Sequence, residues 1–246
     1  MTFCARPQSG TTRPRPSSPT VRGTAVSAAP PRSRRLVRRG VQLVVGLVLY
    51  GVSSALVVAS GLGLGPWNVL HEGLAERTGL SIGVVTILTG ALVLLLWIPL
   101  RQRPGLGTLG DVLVVGLVMD GTLALLPGVH ALAVRVPELV AGIVLNGAAT
   151  GLYIAAGWGP GPRDGLMTGL HRRTGRSIRL MRTVVEVTVV VTGFLLGGTA
   201  GVGTVLYAVS IGPLAQLFLR LFAVRKAASD PRAVAPPSPE RVILHP

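Results

Sequence analysis

Residues 157–175 read GWGPGPRDGLMTGLHRRTG, and residues 61–79 read GLGLGPWNVLHEGLAERTG. Taken alone, either stretch looks like a glycine-rich phosphate loop opening a helix. That reading needs a strand before the glycines and a βαβ unit around them. Here an apolar run precedes both copies, so the glycines have another role. In both, alternating glycines break an apolar run, a proline follows, and an Arg-Thr-Gly closes the segment.

The two copies are part of a longer duplication. Adding 96 to any position between about 40 and 120 aligns the two halves without a gap. Gly61, Gly63, Gly65 and Pro66 fall on Gly157, Gly159, Gly161 and Pro162; Ser81-Ile82 falls on Ser177-Ile178; Gly105, Gly107 and Thr108 fall on Gly201, Gly203 and Thr204. Shared apolar composition does not produce an ordered pattern of this kind, and duplication does.

The medium follows from composition. Of 246 residues, 49% are hydrophobic and 13% charged, with a mean hydropathy of +0.59. Soluble domains carry about 25% charged residues. The apolar blocks are long and separated by short Gly/Pro/Arg connectors, which points to a helical membrane protein, since lipid admits only helices or closed barrels. The net charge of +15 raises nucleic acid as a partner. The arginines, however, lie in tails and connectors beside apolar blocks with almost no aromatics between them, which fits the positive-inside rule and anionic headgroups and excludes nucleic acid. Cys4 is the single cysteine, and the four histidines lack metal-ligand spacing, so no metal, cofactor or disulfide framework is expected. The histidines read as connector residues near the membrane surface.

Six spans of about 20 residues are expected, at 41–61, 82–100, 109–127, 137–157, 181–199 and 202–222. The expected organisation is a disordered basic cytoplasmic tail at 1–39, a first membrane repeat at 40–128, a second at 135–224, and a disordered cytoplasmic tail at 227–246. Basic residues mark every second connector: Arg34, Arg35, Arg38 and Arg39; Arg101 and Arg103; Arg163 to Arg179; and Arg220 to Lys226. Both termini are therefore expected in the cytoplasm of a bacterial plasma membrane. Three spans per half is an odd number, so the halves enter the membrane in opposite directions. Inverted repeats of this kind are an architecture of many secondary transporters.

Within each repeat the GxGxGP break ends one helix and Pro opens another at its first turn, where a missing N–H costs nothing. The new helix is expected over Pro66–Thr78, with Gly79 as C-cap and Ser81 as N-cap of the next span; Pro162–Thr174 reads the same way. Thirteen residues are too few to cross, so each helix lies in the interface or re-enters the bilayer. Two readings stand side by side. In one, both half-helix N-termini face one cavity and receive an anionic or polar solute group, with Gly65, Pro66 and Asn68 matched by Gly161, Pro162 and Asp164 and with Arg163 adding charge. In the other, Gly and Pro only permit tight packing. Asp120 and Glu186 sit inside spans, where ionisable groups are costly and face protein or water. Glu186 lies one turn from Arg182, which offers a local ion pair. Asp120 has no partner in sequence and is the better relay candidate. Asn146 and Tyr207 line a site or bond across helices. No catalytic residues are assigned.

GLGPWNVLHEGL followed by TGLSIG, and GPGPRDGLMTGL followed by RRTGRSIR and GVGTVLYA, resemble the YczE/YyaS/YitT-like family of bacterial multi-pass membrane proteins, from about Arg39 to Phe222. The resemblance implies location more than activity and carries no catalytic residue. The expected function is that of a permease or exporter of a small solute and not of an enzyme. The alternative is a non-transporting partner that anchors or regulates another protein through its basic cytoplasmic face.

Overall fold

A computed structural model describes residues 32–127 and 131–228. The expected tail segments before 32 and after 228, with Cys4, His130 and His245, lie outside the described residues. The described residues form eight helices: α1 (Arg32–Ser60), α2 (Pro66–Thr78), α3 (Ile82–Trp97), α4 (Leu106–Leu125), α5 (Leu132–Ala156), α6 (Pro162–Thr174), α7 (Ile178–Leu195) and α8 (Val202–Ala228). Among the described residues there is no strand. Helix α1 begins at Arg32, inside the stretch expected to be a tail; nothing in the run RSRRLVRR breaks a helix, and arginine and leucine both favour one.

Among the described residues four helices are long and apolar enough to cross a bilayer: α1 from Leu36, α4, α5 and α8 to Phe222. A fifth crossing is made if α2 and α3, bent by 113° to each other, are taken together. The expected spans 82–100 and 181–199 correspond to α3 and α7, which differ from the others for separate reasons. Helix α3 ends after 16 residues, where Pro99 stops it, and α7 carries Arg179, Arg182 and Glu186 within its 18 residues. Exposed side chains on α3 include Leu88, Leu92, Leu95 and Leu96, while Val85, Val93 and Trp97 are buried. An apolar face left outside at helical spacing suits lipid and not water.

The helix boundaries repeat at the 96-residue offset. Ser60 and Ala156 end α1 and α5, and α2 and α6 match at both ends. The C-caps Gly79 and Gly175 are left-handed, with φ of 71° and 68°. Ser81 and Ser177 each accept a hydrogen bond from the backbone N–H three residues on, as N-caps do. Gly63 and Gly159 have φ of 122° and 120°, a conformation open in practice only to glycine.

Contacts between the halves repeat with the partners exchanged. Helix α1 packs along α5, α2 packs on α7 and α3 on α6. A Cβ on Gly46 would lie 2.9 Å from Tyr153 N, and one on Gly142 would lie 2.8 Å from Val57 Cγ2; Gly142 and Tyr153 are the counterparts of Gly46 and Val57. A second pair of contacts fixes the short helices. The Trp97 ring, 1% exposed, fills the space over Gly165 of α6, while at the equivalent place Val69 of α2 lies over Gly193 of α7. The first contact is made by a side chain of the long helix and the second by the backbone of the short one.

Candidate functional site

The two GP turns are held in place from across the molecule. A helix start leaves N–H groups without partners. The carbonyl of Trp158 accepts from Gly107 N at the start of α4 (3.1 Å), and that of Leu62 accepts from Gly203 N at the start of α8 (2.9 Å). Thr108 Oγ1 accepts from Gly105 N (3.1 Å) and donates to Pro160 O (2.8 Å). Thr204 Oγ1 accepts from Gly201 N (3.1 Å), its counterpart bond. Each turn therefore depends on the other half for its position.

So held, both turns open onto one cavity of about 280 Å³. Gly65, Pro66 and Asn68 line it from α2, and Gly161, Pro162, Arg163 and Asp164 line it from α6. Glu186 joins them from α7, together with Arg182, to which it is ion-paired at 2.8 Å. Eight of the nine residues singled out from sequence thus border one space. Asp120 does not. It accepts hydrogen bonds from Gly83 N (2.7 Å) and from the Ser81 hydroxyl, so it has the partners that the sequence did not reveal, at the start of α3.

The charges in the cavity are unevenly satisfied. The Arg163 guanidinium lies 5.1 Å from the centre of the Trp67 ring, a cation–π contact between two residues 96 apart. It donates one long hydrogen bond, Nη1 to Tyr50 OH at 3.4 Å, out of five available donors. Among the described residues no carboxylate lies within 4.0 Å of it, the Arg182–Glu186 pair being the one salt bridge. Tyr153 OH donates to Asp164 Oδ2 at 3.0 Å. Asp111, from the first turns of α4, also lines the cavity and has no hydrogen-bond partner among the described residues. Asn68, 7% exposed, has none either, and the buried indole N–H of Trp67 is unpaired.

Gly161 sits among three of these groups. A Cβ placed on it would lie 3.1 Å from Tyr153 OH, 3.4 Å from Asp111 Oδ2 and 3.8 Å from Asp164 Oδ2. The first-turn N–H groups of α2 and α6 add positive potential, since Gly65 and Gly161 supply no side-chain cap. Asn146 joins the halves: its Nδ2 donates to Ser53 Oγ and its Oδ1 accepts from Tyr207 OH, both at 2.9 Å. Asn146 and Tyr207 thus bond across helices and also line the cavity.

Sequence reasoning missed Asp111, Tyr50, Trp67 and His71. His71, expected in a connector, is 2% exposed and its Nδ1 lies 3.0 Å from Thr86 Oγ1. For Asp111 a signal existed: its repeat counterpart is Tyr207, itself a polar residue inside a span.

The chain is similar to an uncharacterized protein of Haemophilus influenzae, 43% identical over 181 residues, covering 74% of this chain and 83% of that one. It is also similar to the uncharacterized membrane protein YczE of Bacillus subtilis, 30% identical over 188 residues (76% and 87%), and to the uncharacterized protein YyaS of the same organism, 27% identical over 179 residues (71% and 89%). No solved structure matches. Apolar helices of bilayer length and a relative described as a membrane protein agree that this is an α-helical membrane protein. Residues 37–220 match the family of unknown function DUF6198, and the chain belongs to that family.

Proposed function

We propose that this is a permease or exporter of a small solute in the bacterial plasma membrane, built from two inverted three-span repeats with both termini in the cytoplasm. The observation that carries the reading is the cavity bordered by both GP turns. Transporters of inverted-repeat design place their substrate between the repeats, with half-helix N-termini turned to it. A protein that served only as an anchor has no use for unpaired charges in such a space, where each is costly. The exchanged contacts between halves support the repeat, and the alternation of basic and neutral connectors supports the orientation, with the arginine connectors against anionic headgroups.

The test is flux. Gly161 has φ −62° and ψ 160°, so its backbone accepts a side chain, and a leucine there projects into the space between Tyr153 and Asp111. Proteoliposomes holding the wild-type chain are incubated with a defined mixture of amino acids, organic acids and polyamines, and their contents are measured by mass spectrometry. At least one compound accumulates above the level in Gly161→Leu and protein-free vesicles. Identical contents in all three vesicle types overturn the reading.

A further inference from the structure

The cavity holds a cation and a carboxylate that do not satisfy each other. Among the described residues Arg163 has no carboxylate within 4.0 Å and Asp111 has no hydrogen-bond partner, yet both border the same 280 Å³. In a site shielded from bulk water, two opposite charges left apart cost more than a closed ion pair, unless something between them answers both. The neighbouring Arg182 and Glu186, one helical turn apart, do close an ion pair at 2.8 Å.

The surroundings of the two charges differ in kind. Around Gly161, Asp111 Oδ2, Asp164 Oδ2 and Tyr153 OH converge, a cluster of oxygens that suits an ammonium. Gly161 leaves room there that a Cβ would take. Around Arg163 the free groups are donors: most of the guanidinium and the first-turn N–H groups of α6, which suit a carboxylate. The volume is at the lower limit of the ~300–1,000 Å³ usual for small-molecule sites, which restricts the occupant to a small metabolite. An anion alone would satisfy Arg163 and leave Asp111 bare; a cation alone would do the reverse.

We infer that the solute is a small zwitterion of the amino-acid class, with its ammonium between Asp111 and Asp164 and its carboxylate on Arg163. This rests on the reading of the cavity as a solute site, and narrows the solute from an anionic or polar one to one carrying both charges.

The full chain, purified in detergent, is melted with each standard α-amino acid and with β-alanine, then with the N-acetyl and amide counterparts of every compound that binds. The counterparts lack the positive and the negative charge respectively. The expected result is that at least one zwitterion raises the melting temperature, and that both its counterparts bind about tenfold or more weakly, the loss expected for one charged hydrogen bond. Asp111→Asn weakens the zwitterion and spares the N-acetyl compound; Arg163→Gln weakens it and spares the amide. These comparisons on the wild type need no variant to fold. A counterpart that binds as tightly as its zwitterion, or no binding by any zwitterion, overturns the inference and leaves the solute site standing. Zwitterion binding unchanged by Gly161→Leu overturns both.

Discussion

Gly165→Ala is a small substitution with a large expected cost. Its Cβ would lie 1.9, 2.4 and 2.6 Å from Cζ2, Cη2 and Cε2 of Trp97. Carbon atoms prefer about 3.5–4.0 Å, so the closest approach is too short by about 1.6 Å. The ring has no exit. Trp97 is 1% exposed, packed among Trp67, Val93, Leu166 and Val189, and its Nε1–H donates to Pro162 O at 3.1 Å. Relief requires α6 to back away from α3. Overpacking costs about 1–3 kcal/mol, and losing the hydrogen bond adds about 1 kcal/mol. For a chain of this size the sum corresponds to a fall of roughly 4–16 °C in melting temperature. The assay is thermal unfolding in one detergent at a fixed scan rate. Trp97→Leu supplies the control: it lowers stability by itself through the volume it removes. In its background the added alanine costs little, because the ring it strikes is gone. The coupling between the two changes is thus about 2–4 kcal/mol. A Gly165→Ala protein that melts within about 2 °C of wild type, or an equal alanine cost in both backgrounds, refutes the packing argument.

Two further substitutions separate structure from site. Asp120→Asn lowers stability by about 1–2 kcal/mol through the lost charged acceptor at the start of α3. It speeds amide exchange at Gly83, whose N–H Asp120 holds, and leaves solute affinity unchanged; a variant that folds and no longer binds would place Asp120 in the site. Thr108→Val costs about 2–3 kcal/mol and Thr204→Val about 1 kcal/mol, because Thr108 holds Gly105 N and Pro160 O whereas Thr204 holds Gly201 N. Equal losses in denaturation of the two variants would contradict this.

What the sequence made legible depends on range. The bounds Pro66–Thr78 and Pro162–Thr174 could be read because proline, glycine and serine act on the backbone within a few residues. The convergence of both turns on one cavity was one of two readings, because likeness in sequence makes two turns equivalent without fixing how near each other they lie. Asp120 was singled out and Asp111 missed because their environments come from other helices. They are nine residues apart, two and a half turns at 3.6 residues per turn, and so leave α4 on opposite faces. One faces the start of α3 and the other the cavity. Spans two and five, equal to the rest by eye, differ once helix ends are seen: Pro99 shortens α3, and α7 carries charge for Glu186 and Arg182 to meet the cavity.

The exchange at Trp97–Gly165 and Gly193–Val69 bears on the history of the chain. A protein made of two first halves would set Trp97 against Val69, bulk against bulk. One made of two second halves would set Gly193 against Gly165 and lose the tryptophan ring that covers Gly165. The two copies are therefore not interchangeable at this contact. A gene carrying only half of this sequence would have to recover both sides of that pairing before two of its products could assemble.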